Sequence, residues 1–137
     1  MHAEVSLIRA IVETYFLGLH QGDAVMLQDL FHPDCVLKAP HQRRSMATWL
    51  QDVRQRVVPA DIDHPWEYRI IWLEIMSEQA MVKLNCPLPH GHFTDYLGLL
   101  KEKNQWKIVN KMYAETRENY RASGVWSDSE WSLNLKS

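Results

Sequence analysis

The stretch His92–Tyr113, HFTDYLGLLKEKNQWKIVNKMY, sets a carboxylate, Asp95, and an amide, Asn110, inside two runs that otherwise read as apolar strands. A carboxylate on an apolar face is costly unless it is paired, hydrogen-bonded or neutral. Three environments satisfy that condition for Asp95. It is a structural group bonded to Asn110 or a loop, or it is exposed at a rim. Otherwise it lines a pocket as a ligand-binding or catalytic acid. Asn tolerates positive φ, so Lys103 and Asn104 read as a two-residue hairpin turn. Asp95 then opposes Met112, and Leu97 opposes Asn110. Side chains alternate between the faces of a strand. Phe93, Asp95, Leu97, Leu99, Trp106, Ile108, Asn110 and Met112 therefore share the more apolar face, which is expected to look inward. Lys111 falls on the other face opposite Tyr96, as a surface or dimer-contact residue.

Other side chains with chemistry to offer lie outside this hairpin. His41 follows Pro40 and has the pKa range of a general base. With Gln42, Arg43 and Arg44 it also reads as part of an exposed polar loop. His32, in FHPD, sits at a helix end before Pro33, where a capping or hydrogen-bonding role suits it; Asp34 is the one nearby carboxylate that would orient it. His90 and His92 raise the question of a metal, but a third ligand is needed and alternation puts Asp95 on the face opposite His92. A solvated loop entering a strand is the expectation, with no metal and no cofactor. Cys35 and Cys86 lack metal-ligand spacing and read as buried thiols. Trp49, Trp66, Trp72 and Trp106 suit a core, although one or two lining a pocket would stack on a flat ligand.

The elements that must position these groups follow from periodicity. Val5, Ile8, Val12, Tyr15 and Leu19 form one face of a helix over residues 4–20. Gly22 stops it, and Asp23 caps a second helix over about 24–31 with Leu27, Leu30 and Phe31 inward. DCVLKAP, residues 34–40, leans to a short strand. Ser45 caps a third helix carrying Trp49, Leu50, Val53 and Val57, which Pro59 ends. From Trp66 the period changes to that of strands: 66–76, 80–86 and then the two strands of the hairpin. Three helices with one short strand among them, followed by four long strands, predict an α+β fold with a curved antiparallel sheet wrapped on the long N-terminal helix.

Length and charge narrow the function classes. The chain has 137 residues and a formal net charge of −2. That length fits one domain, here residues 1–115, with 116–137 as a C-terminal extension packing on the domain or a dimer partner. The charge and the lack of clustered Lys and Arg argue against nucleic acid as a partner. The N-terminal segment, interrupted by Glu4, Arg9 and Glu13, is an amphipathic helix and not a signal peptide or membrane span. A cytoplasmic location without membrane partners is the expectation.

IVETYFLGLHQGDAVMLQDLFHPDCVL, FTDYLGLLK and WKIVNK together resemble the nuclear transport factor 2-like superfamily over residues 5 to 113. Within it they are most similar to the putative lumazine-binding family of small bacterial proteins, related in fold to SnoaL-like polyketide cyclases and ketosteroid isomerase. The resemblance implies a cystatin-like α+β cone around a deep pocket, usually a homodimer. Against ketosteroid isomerase, Tyr15 takes the place of the oxyanion-hole tyrosine and Asp95 that of the oxyanion-hole aspartic acid, an acid held neutral so that it donates a hydrogen bond. The base aspartate that precedes a proline is replaced by Ala39, before Pro40, so steroid isomerisation is not expected. Together with the alternation that puts Asn110 and Met112 inward, the resemblance leads to the expectation of a site for a small, partly apolar, cyclic ligand bound by Tyr15, Trp49, Asp95, Asn110 and Met112. The alternative is isomerase, cyclase or dehydratase chemistry, with Tyr15 and Asp95 polarising a carbonyl and His41 moving a proton. A third reading is a dimeric interaction module.

Overall fold

The computed structural model describes residues 2–117 and 123–124. The extension expected over 116–137, with Trp126 and Trp131, lies almost wholly outside the described residues. Helix α1 spans His2–Gln21, α2 Ala24–Leu30 and α3 Met46–Gln55. Strands β1 to β6 span Phe31–Ala39, Gln42–Ser45, Arg69–Met76, Gln79–Leu88, Gly91–Glu102 and Gln105–Glu115. They form one sheet in the order β2-β1-β6-β5-β4-β3, with β1 parallel to β6 and every other pair antiparallel. The α+β class and the N-terminal helix against a curved sheet are as the sequence predicted.

Helix α1 buries Ile8, Val12, Tyr15, Phe16 and Leu19, the face its spacing predicted. Its end is set by Gly22, whose φ of +61° is open to glycine at little cost. The Asp23 N–H then returns to the Gly18 carbonyl at 2.9 Å. Asp23 caps α2 by accepting from the Met26 N–H at 3.0 Å. Gly18 lets the two helices approach, since a Cβ there would stand 2.7 Å from Leu27 Cδ2. Ser45 caps α3 through the Thr48 N–H at 3.1 Å. At the other end of α1, Glu4 accepts from Lys101 Nζ at 2.7 Å and Trp106 Nε1 at 2.6 Å, tying the helix to β5 and β6.

Two elements differ from the sequence reading. Gln42–Ser45 is not a loop but an edge strand, so the sheet has six strands. Its polar, exposed side chains suit an edge strand and hide it from any test based on apolar alternation. Strand β1 begins at Phe31, and its pairing with β6 is irregular between Phe31 and Val36. Pro33, which cannot donate to a ladder, falls in that gap.

The larger correction concerns the hairpin. The turn lies at Lys103–Asn104 as predicted, with both residues at positive φ. Leu99 opposes Ile108, as expected, but the next pair is Gly98 with Asn110. One extra residue, Val109, sits between them as a β-bulge. Every later side chain of β6 therefore changes face. Asp95 opposes Tyr113, Leu97 opposes Lys111, and Tyr96 opposes Met112. Asn110 and Met112 point to the outer face of the sheet, and Lys111 points inward. The expected inner pair of Asp95 and Asn110 does not form.

Candidate functional site

The bulge brings a lysine onto the floor of an inner cavity of about 220 Å³ between the sheet and the helices. Its lining draws Tyr15 and Leu19 from α1, Gln42 and Arg44 from β2, and Trp49 from α3, with Arg56 just beyond. The sheet contributes Cys86, Phe93, Asp95, Lys111 and Tyr113, and the β4–β5 turn closes the mouth with His90. Tyr15 is fully buried, Asp95 is 2% exposed and Lys111 is 6% exposed.

Asp95 is the acceptor at the centre. Its Oδ2 takes a hydrogen bond from the Tyr15 hydroxyl at 2.9 Å and a weak one from Cys86 Sγ at 3.6 Å. Lys111 Nζ stands 3.9 Å from the same oxygen. The Lys111 ammonium lies 4.5 Å from the Trp49 ring centroid and 5.3 Å from that of Tyr15, so aromatic faces supply part of its solvation. Burial lowers the Lys111 pKa, against the opposing pull of Asp95. Burial, and after it the charge of Asp95, holds the Tyr15 phenol well above its usual value, so it stays a donor. Tyr15 has one proton and gives it to Asp95. The pair is thus internally satisfied, not two donors aimed at a common ligand atom.

Further cations line the cavity. Arg44 Nη1 pairs with Asp52 Oδ2 at 2.9 Å, and its Nη2 donates to the Tyr113 hydroxyl at 2.7 Å. That hydroxyl donates onward to Gln42 Oε1 at 2.9 Å. Arg56 is the C-cap residue of α3, its N–H bonded to the Asp52 carbonyl. Among the described residues it forms no ion pair, and its Nη2 is buried with no acceptor. Partial burial, then the charges of Arg56, Arg44 and Lys111, pushes His90 down to about 4.

The residues singled out from sequence therefore divide. Tyr15, Trp49 and Asp95 meet in the inner cavity. Asn110 and Met112 do not: Asn110 accepts from Lys38 Nζ at 2.7 Å on the outer face, and Met112 lines a second cavity there. His41 is an exposed residue at φ +64° in the β1–β2 turn and lines that same outer cavity, as does Ala39. The sheet separates His41 from the Tyr15–Asp95 pair. His32 bonds locally, Nδ1 to Asp34 Oδ1 at 2.6 Å. No cluster of three His, Cys, Asp or Glu suited to a metal occurs among the described residues. Both cysteines are free and buried.

Lys111, Arg44, Arg56 and His90 were missed as site residues. Lys111 was missed because one bulge residue reverses its face. Arg44 and Arg56 flank α3, and the charged side chain bordering each end of a helix that carries Trp49 was the signal available. The outer cavity is larger, about 410 Å³, but it lies on the outer face of the sheet; its one buried charge, Lys83, stands over the Tyr96 ring, and no carboxylate lines it.

No described helix is long and apolar enough to cross a membrane. No curated protein is significantly similar to the chain. Among solved structures, a nuclear transport factor 2-like protein of unknown function from Silicibacter pomeroyi is 19% identical and superimposes with a TM-score of 0.72, covering 84% of this chain and 98% of its own. One from Shewanella baltica is 18% identical with a TM-score of 0.72 over 85% and 96%. A third, from Methylobacillus flagellatus, is 17% identical with a TM-score of 0.67 over 84% and 94%. These likenesses establish the fold. The family described as "Putative lumazine-binding" matches residues 3–114, almost all of the described residues, and the chain belongs to that family.

Proposed function

We propose that this protein binds a small, partly apolar, cyclic molecule in the inner cavity. The observation that carries the reading is the buried charged floor: Asp95, Lys111 and Tyr15 stand together beneath Trp49, on an inner face that is otherwise core. A buried charge pair is weak evidence for stability, and perturbed titratable groups gather at functional sites. The cavity, about 220 Å³, is below the usual range for drug-sized ligands, so it suits one ring better than a flavin-sized system. Lys111 donates to the ligand's electronegative atom, and Trp49 packs on its ring.

Isomerase, cyclase or dehydratase chemistry is the weaker reading. Tyr15 spends its proton on Asp95, and His41 lies across the sheet. The outer face carries exposed Val36, Trp72, Met81, Tyr96 and Met112 on five strands, an apolar area suited to a second copy of the chain. A homodimer closed through that face also covers the outer cavity. Two free thiols fit a reducing cytoplasm.

A thermal-shift screen of single-ring and pterin-like compounds, repeated on Lys111→Met, tests the binding reading. Compounds that stabilise the wild type should lose most of that effect in the variant, which keeps the stem of Lys111 and removes its charge. A stabilising compound indifferent to Lys111→Met removes the charged floor from the binding role.

A further inference from the structure

The charges around the inner cavity do not balance. Arg44, Arg56 and Lys111 line it, and Asp95 is the one carboxylate in its wall. Lys111 stands against Asp95, and Arg44 is paired from outside by Asp52. Arg56 is left over. No ion pair forms at its guanidinium among the described residues, and Nη2 has no acceptor; neither has the Nε of Arg44. Leaving a buried donor without an acceptor, and a partly desolvated cation with Asp52 nearby but not in a close ion pair, is costly. A cavity beside such a group suits an anion.

Resting on the reading that the inner cavity is the ligand site, we infer that the ligand is an anion. It is a single-ring compound carrying one compact oxyanion group, with that group held by Arg56 and Lys111 and its ring against Trp49. The guanidinium fork matches carboxylate and phosphate oxygens alike, and the ammonium adds a compact charge beside it. The small volume favours the carboxylate. Asp95 works against a second negative charge near the floor, which places the oxyanion toward Arg56 and leaves Lys111 between the two acids. His90 at the mouth, kept neutral by burial and then by the same cations, adds no positive charge of its own, which leaves the oxyanion to Arg56 and Lys111.

The test is an NMR titration of the full-length chain with benzoate, phenyl phosphate, benzamide and benzyl alcohol. The readouts are the Trp49 indole N–H and backbone amides around Lys111 and Arg56. Benzoate should bind about tenfold or more tightly than benzamide or benzyl alcohol, with shifts confined to the inner cavity. The preference should fall in Arg56→Gln and be retained in part in Arg56→Lys, and raised salt should weaken benzoate and phenyl phosphate but not the neutral probes. Phenyl phosphate binding more tightly than benzoate keeps the anion inference and changes its head group. Neutral probes binding the cavity as well as benzoate overturn the inference while the ring-binding reading stands. If no probe shifts the cavity residues, or benzoate shifts only surface lysines, both fall. The wild-type comparison decides the matter even if the Arg56 variants fail to fold.

Discussion

Replacing Asp95 by Asn keeps the shape of the side chain and leaves an oxygen for the Tyr15 hydroxyl, but strands the Lys111 ammonium 3.9 Å away without its counter-charge. At that distance, with an effective dielectric of about 20, the attraction lost is about 4 kcal/mol. Desolvation of both groups has already consumed part of that attraction, as it does in buried pairs generally. Asp95→Asn should therefore destabilise the protein by about 3 kcal/mol. Lys111→Met, which retains the apolar stem but leaves Asp95 with Tyr15 and Cys86 alone, should cost a similar amount, about 2–3 kcal/mol. The double variant removes both charges, and its Met packs on Trp49 and Tyr15. It should be little worse than either single change, giving a coupling energy of about 2–3 kcal/mol. Urea unfolding of the four proteins, with m-values compared, measures this directly. Additivity within about 0.5 kcal/mol would refute the claim that Asp95 and Lys111 form one electrostatic unit.

Other expectations follow from the same geometry. Below the ordinary lysine range, the buried Lys111 of the folded chain binds fewer protons than it does unfolded. Its contribution to stability should therefore rise with pH as the alkaline range is approached, a rise absent from Lys111→Met in unfolding curves taken at successive pH values. His90, depressed to about 4, should remain neutral at pH 5 by NMR titration. The stability linked to it is present above the ordinary histidine value and is lost as pH falls from there toward 4. Arg56→Gln should move its titration upward, and an unshifted His90 in the wild type would contradict the cationic mouth. Gly18→Ala, which drives a Cβ to 2.7 Å from Leu27, should cost about 1–3 kcal/mol in thermal unfolding. Met112→Lys should convert a dimer to a monomer in analytical ultracentrifugation without changing ring binding in the inner cavity. An unchanged mass would argue against the outer face as the interface.

Much of the fold was legible in the sequence because its signals are local. The spacing of Ile8, Val12, Tyr15 and Leu19, the caps Asp23 and Ser45, Gly22, and the turn at Lys103–Asn104 each report on a few neighbouring residues. The pairing of Tyr15 with Asp95 across eighty residues became legible only through resemblance to related folds. The face of Lys111 was not legible. It depends on whether Val109 is paired or bulged, and Val fits a strand either way, so alternation carried the wrong parity past that point. Strand β2 escaped notice for a related reason, since an edge strand that reads QRRS shows no apolar period. Both omissions fall at the site. There the chain spends local regularity on placing Lys111 and Arg44 around a cavity, and rules built on regular elements lose their hold.

On the function proposed above, this protein meets its ligand in the inner cavity, over the Asp95–Lys111 floor. A crystal structure of the full-length chain as purified, then soaked with benzoate, tests it most directly. Density in the inner cavity in contact with Lys111 and Trp49 is the expected result. Density confined to the outer cavity beside His41 and Met112, with the inner one unchanged after soaking, would contradict it.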